Sequence, residues 1–204
     1  MLKTPPSVPR DRARPAGPMA AGEFARRRRE LFRRMDAGGV AIVPAAPVRT
    51  RNRDVEYPYR PDSDFYYLTG FPEPEAVAVL LRDGPNRRYV LFCRERDPSM
   101  EVWTGRRAGP EGALRDFGAD EAHSFEELDA VMPELLSGRR RIYSSMGRQP
   151  AFDEHLTGWL NEVRRNARGG ARPPSELFDL DALLHDMRLY KSAAETAAMR
   201  HAGA

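Results

Sequence analysis

The chain has 204 residues, enough for one large domain or two small ones, and its 33 Lys and Arg against 30 Asp and Glu leave a formal charge of +3. Apolar residues make up 41%, yet no apolar run reaches the length of about 18 residues that a membrane helix needs. A charge this close to neutral, with one dense basic run at Arg26 to Arg29, lacks the wide basic face of a nucleic-acid binder, and that run is expected to be a solvated helix face.

Residues 1–22 are rich in Pro, Arg, Gly and Ala without periodicity, which predicts a disordered basic arm; Met19 stands just before organised sequence begins. No apolar secretory core is present there, and the arginines leave a transit peptide as the alternative. From Glu23, Phe24, Leu31, Phe32 and Met35 fall on one helical face, closed by Gly38 and Gly39. "VAIV" (Val40 to Val43), "EAVAVLL" (Glu75 to Leu81) and "RYVLFC" (Arg88 to Cys93) are apolar on consecutive residues, as central strands buried on both faces are. Cys93, the single cysteine, excludes an internal disulfide, is expected to be buried and inert, and suits a reducing cytoplasm.

Beyond Gly109 helix and strand alternate. "PEGALRDFG" reads as a helix, "EAHSF" as a strand, and "SFEELDAVMPELLSG" as a helix opened by a Ser124–Glu127 capping box. "RRIYSS" reads as a strand, then "QPAFDEHLTGWLNEVRRNARGG" and "DLDALLHDMRLYK" as helices. The expected fold class is α/β, a mixed and partly parallel central sheet with helices on both faces. Its domain is expected to span 23–190. Residues 191–204 open a fresh helix with Ser192 and Glu195 as a capping box, as though a longer chain continued.

The most unusual stretch is "EYPYRPDSDFYYLTGF", with six aromatics between Tyr57 and Phe71. Most are expected to pack under the sheet, and Arg60 with Asp62 or Asp64 to form an internal brace. Asp62 and Asp64, following Pro61, read as turn and capping residues rather than metal ligands. The histidines, His123, His155, His185 and His201, are scattered and form no chelating pattern, while Glu154 and His155 would point about 100° apart on a helix.

Three blocks, "RDVEYPYRPDSDFYYLTGFPEPEAVAVL", "MEVWTGRRAGPEGA" and "LLHDMRLYKSAAETAAMRHAG", resemble the N-terminal domain of aminopeptidase P, the Xaa-Pro aminopeptidase of the pita-bread metallopeptidases, with creatinase and prolidase as relatives. The resemblance implies a creatinase N-terminal-like fold. It implies a full-length enzyme that removes the residue before proline with two bridged metal ions, usually Mn²⁺, whose ligands all lie in a catalytic domain beyond this sequence. This chain alone would then hold no catalytic residue and no metal, and would be inactive. By position Asp54, Trp103 and Arg172 match residues that such domains lend to an active-site mouth or an interface, Arg172 across a gap of different length. Asp54 is open to a salt-bridge role as well. The implied partners are the chain's own catalytic domain, neighbouring subunits of a homo-oligomer and peptides with proline second. The alternatives are a free-standing, non-catalytic assembly module of the same fold, or a creatinase or prolidase relative.

Overall fold

The computed structural model describes Met19 and residues 21–203, so the expected arm over residues 1–22 lies almost wholly outside the described residues. Residues Ala20–Tyr190 form one compact unit, and Lys191–Ala204 belongs to another. In the second, α8 (Ala193–Ala202) starts at the expected box: Ser192 N–H donates to Glu195 Oε2 at 2.8 Å and Glu195 N–H to Ser192 Oγ at 3.2 Å.

The main unit opens with α1 (Ala21–Arg34), followed by β1 (Gly39–Pro44) and a small hairpin, β2 (Thr50–Asn52) and β3 (Val55–Glu56). Then come α2 (Ser63–Thr69), β4 (Val77–Asp83), β5 (Asn86–Cys93), α3 (Pro98–Thr104) and α4 (Gly109–Phe117). After β6 (Glu121–Ser124) a 3₁₀ turn leads into α5 (Leu128–Leu136), and the rest is β7 (Arg141–Ser144), α6 (Pro150–Arg165), β8 (Glu176–Asp179) and α7 (Asp181–Leu189). Six strands form one sheet in the order β6-β5-β4-β1-β7-β8. The central β5-β4-β1 set is antiparallel, while β6, β7 and β8 join their neighbours in parallel. The fold is therefore mixed α/β.

Alternation along β1 shows how the two layers arise. Val40 and Ile42 face a core with Met132, Leu136, Leu156 and Trp159 of α5 and α6. Ala41 and Val43 face the other core, with Leu31 and Phe32 of α1, Phe65 and Leu68 of α2 and Leu184 of α7. Helices thus cover both faces, and the strands with consecutive apolar residues are the central ones.

Several local expectations give way. After Pro61, where turn and capping residues are expected, Asp62 is a capping residue, and what it caps is the helix α2. Asp62 caps it by accepting from the N–H groups of Asp64 (2.8 Å) and Phe65 (3.0 Å), and Gly70, at φ 67°, closes it by donating to Tyr66 O at 2.9 Å. Trp103 sits near the end of α3, a helix that Asp97 caps and whose first turn Pro98 fits, and residues 105–108 follow it outside any helix or strand. The hairpin β2–β3 and the edge strand β8 were too short to read.

The basic run is also not a solvated face. Arg27 and Arg28 are buried, at 2% and 7% exposure. Arg27 Nη1 donates to Tyr67 O at 3.0 Å and Arg28 Nη1 to Leu68 O at 2.9 Å, so two cations finish the last carbonyls of α2. Their guanidiniums also lie 4.2 Å above the Tyr67 ring and 4.3 Å above the Tyr89 ring. Burial lowers the Arg28 pKa, with the nearby Tyr89 and Asp120 pushing back. Of the aromatic set, Phe65, Tyr67 and Phe71 are buried while Tyr57 and Tyr66 are exposed; the Tyr59 hydroxyl donates to Ala46 O at 3.1 Å.

Candidate functional site

The strand ends give the reference frame. Pro44 pairs with Val77, and Val77 with Phe92, so the carboxyl ends of β1 and β5 share one end of the sheet. Ser144 and Asp179, the last residues of β7 and β8, lie at the same end because those strands run parallel to β1.

Asp54 issues from that end. The hairpin after β1 pairs Asn52 with Val55, which leaves Arg53 and Asp54 as its tip. Arg53 takes φ 45°, a left-handed conformation that costs a residue with a Cβ about 1 kcal/mol and is tolerated at so tight a turn. Asp54 is exposed there.

Trp103 issues from the same end on α3, which begins a few residues after Cys93. Asp97 caps this helix, accepting from Ser99 Oγ at 2.6 Å and from the N–H groups of Ser99 and Met100 at 3.0 and 3.2 Å; these bonds hold its carboxyl below the usual range, that of Ser99 Oγ foremost. Arg96 grips Glu101 through two bonds of 3.0 and 3.1 Å. The helix so anchored presents Trp103 at 85% exposure and Val102 at 78%, an unusual position for a large ring.

Arg172 is placed elsewhere. It precedes β8, and its carbonyl accepts from Gly138 N–H at 2.8 Å, which sets it at the opposite end of the sheet, where β1 and β7 begin. Its side chain is exposed. Asp54 and Trp103 thus lie on segments that leave the same end of the sheet, and Arg172 lies at the other end.

The expected brace has other partners. Arg60 is exposed, and Asp62 spends its carboxylate on the α2 cap. Asp64, 3% exposed, is gripped instead by Arg148 Nη1 at 2.8 Å on Oδ2 and by Arg188 on Oδ1. Arg148 also reaches Asp181 at 2.6 Å and His185 Nε2 at 3.3 Å, while Ser145 Oγ donates to Asp181 at 2.5 Å. Burial works against the Arg148 charge, yet its bond to Asp64 and the fields of Asp181 and Asp64 outweigh that and raise its pKa. Sequence reasoning missed Arg148, Asp181, His185 and Arg188. The node ties α2, the β7–α6 connection and α7 together.

Asp64, Asp181 and His185 place one ligand atom each within 4.8 Å of one another. They do not fit a metal. Both oxygens of Asp64 are taken by guanidiniums, and Arg148 also holds Asp181, so a cation would have to displace a charge already paired twice. The cavity beside them, about 30 Å³ and lined by Asp62, Asp64, Ser144, Arg148 and Gln149, has room for about one water. His155 is similarly engaged, at 3.2 Å from Asp129, and His123 lies 2.7 Å from Glu121 and stacks on Phe92. No described helix is long and apolar enough to cross a membrane.

The sequence and the fold both have close counterparts. The family described as "Aminopeptidase P, N-terminal domain" matches residues 24–143. The Xaa-Pro aminopeptidase of Escherichia coli is 41% identical over 182 residues, covering 89% of this chain and 41% of the relative. Human Xaa-Pro aminopeptidase 3 is 29% identical over 166 residues, covering 79% and 32%. Among solved structures, an aminopeptidase of Pseudomonas aeruginosa superposes with a TM-score of 0.87 at 53% identity, over 89% of this chain and 41% of that one. Aminopeptidase P of Escherichia coli superposes with 0.88 at 40% identity, over 91% and 42%. The chain spans about two fifths of the length of these bacterial relatives. Carrying that match across residues 24–143, the chain belongs to the aminopeptidase P N-terminal domain family.

Proposed function

We propose that this chain serves as the N-terminal domain of a Xaa-Pro aminopeptidase, shaping the mouth of an active site built by a catalytic domain outside this sequence. The observation that carries the reading is Trp103, 85% exposed on a capped helix at the sheet end that also bears Asp54. A large ring held in solvent by a helix anchored at Asp97 suits a wall for a peptide better than it suits a surface. Asp54, also exposed, has the charge to meet a substrate's free amine or a basic neighbour. Arg172, at the far end of the sheet, cannot share one site with them within a single chain, so its place in this reading is an interface with a neighbouring subunit of a homo-oligomer.

The substrate class is peptides with proline second, and the reaction releases the residue before it. A pair of bound Mn²⁺ ions would supply the activated water in the catalytic domain. Among the described residues the one candidate cluster, Asp64, Asp181 and His185, is already held by Arg148 and Arg188, so this chain's part is to orient the peptide and limit water around it. Residues 23–190 make up the domain, and 191–204 begin the connection to the catalytic half. The buried, unpaired Cys93 accords with a cytoplasmic setting.

The test is Trp103→Ala in the full-length enzyme. Turnover on a proline-second peptide should fall roughly tenfold or more, since loss of a positioning contact misplaces the reacting bond. The fold should be unchanged, because an exposed ring leaves no cavity. Kinetics equal to the parent enzyme would return Trp103 to the ordinary surface and remove the support for this reading.

A further inference from the structure

Beyond α3 the chain opens a groove of about 400 Å³ that the proposed function does not use. Arg96, Arg106, Arg107 and Arg115 line it, together with Glu73, Glu111 and Asp116. Most of these charges are already committed. Glu73 accepts from Ala108 N–H at 2.7 Å and from Arg94 at 3.4 Å, Asp116 is closed on Arg115 at 2.7 and 2.8 Å, and Arg96 is held by Glu101. Arg106 and Arg107 remain. Neither closes an ion pair among the described residues: Arg106 lies only in the field of Glu101 and Asp116 and Arg107 in that of Asp97, and Arg107 Nε is buried without a hydrogen-bond partner.

The backbone keeps the groove open. Gly109 sits at φ 65°, where a Cβ would meet Arg96 Cγ at 2.8 Å, and a Cβ on Gly112 would meet Ala108 Cβ at 3.0 Å. With these glycines the start of α4 lies close against Arg96. Arg106 and Arg107 both line the groove, and a guanidinium fork matches the planar, two-pronged geometry of a carboxylate. The volume exceeds what a small ion needs and falls in the range of a peptide-sized ligand.

We infer that this groove binds an acidic peptide segment, its carboxylate side chain gripped by Arg106 and Arg107. Glu111, the one lining carboxylate without a committed partner, sets the sign of the discrimination: a second unneutralised carboxylate on the ligand is disfavoured, a single one is drawn to the arginine pair. The inference is independent of the aminopeptidase reading, because it concerns this chain alone.

The experiment is a titration of the 204-residue protein with two blocked tripeptides, acetyl-Gly-Asp-Gly-amide and its Asn counterpart, followed by NMR. The Asp peptide should bind roughly tenfold more tightly, the effect of a charge-assisted pair over a neutral one. Arg106→Gln, at an exposed position, should abolish that preference. Arg165→Gln, an exposed arginine on α6 paired with Glu162, should keep it. Arg107→Gln should also abolish it, and if this partly buried position unfolds, Arg106→Gln decides alone. Equal binding of the two peptides, no saturable binding of either, or an intact preference in Arg106→Gln would each overturn the inference.

Discussion

Arg28 shows how far a single side chain can depart from what its neighbours suggest. In a run of four arginines it looks like surface charge, yet it is 7% exposed and bonds to Leu68 O at 2.9 Å and Gly118 O at 3.4 Å. Arg28→Met keeps much of the volume but strands both carbonyls. The expected loss is about 2–3 kcal/mol of unfolding free energy, the cost of a buried charged hydrogen bond. Arg33→Met, which removes an exposed pair with Glu30, should cost less than about 1 kcal/mol. Urea unfolding of the two variants measures the difference, and equal midpoints would mean that Arg28 contributes no more than a surface residue. Nothing local in the sequence marks Arg28 as buried, because the acceptors lie 40 and 90 residues away. The same holds for Asp64, whose arginine partners are 84 and 124 residues distant.

Among elements, legibility followed length and burial. α1 runs for 14 residues, long enough for its apolar face to recur, and β1, β4 and β5 announce themselves by apolar runs that only double-sided burial explains. The Ser124–Glu127 and Ser192–Glu195 boxes were readable because capping depends on residues three apart and on nothing else. α2 has seven residues and β8 four, too few for either period to show. Gly70 is the hinge on which α2 depends. It stands at φ 67°, and a Cβ there would lie 2.5 Å from the Phe24 ring of α1. Gly70→Ala should therefore lose about 1–3 kcal/mol, by backbone strain and by displacing a buried ring. A midpoint unchanged in urea would show that Phe24 swings aside at no cost.

At the level of the whole molecule, the buried Cys93 thiol and the half-buried Tyr59 phenol contribute to an alkaline limit, alongside the buried Tyr89 phenol, whose pKa burial also raises. Burial foremost, then the Glu73 charge, pushes the Cys93 thiol from 9.0 up to about 12, and burial foremost, then Asp62, takes the Tyr59 phenol from 10.0 to about 12. Both are neutral when folded and ionise sooner when unfolded, so their contribution is full below pH about 9 and drains away as pH rises towards about 12. Thermal midpoints measured from pH 8 to 11 should fall across that window, and Cys93→Ala should flatten the first part of the fall, between pH 9 and 10, where the thiol precedes the phenol. A decline of the same steepness in that variant would assign it to other groups. A different consequence follows from the mixed direction of the sheet. β1 finds its antiparallel partner β4 within some 40 residues but its parallel partner β7 only about 100 residues on, Gly39 facing Arg82 on one side and Arg141 on the other. On a ribosome adding roughly 5–20 residues per second, the β1-β4-β5 ribbon is complete several seconds before β7 emerges. For that interval one flank of an almost wholly apolar strand is an unguarded edge, and it is there that a nascent chain would pair with the wrong neighbour.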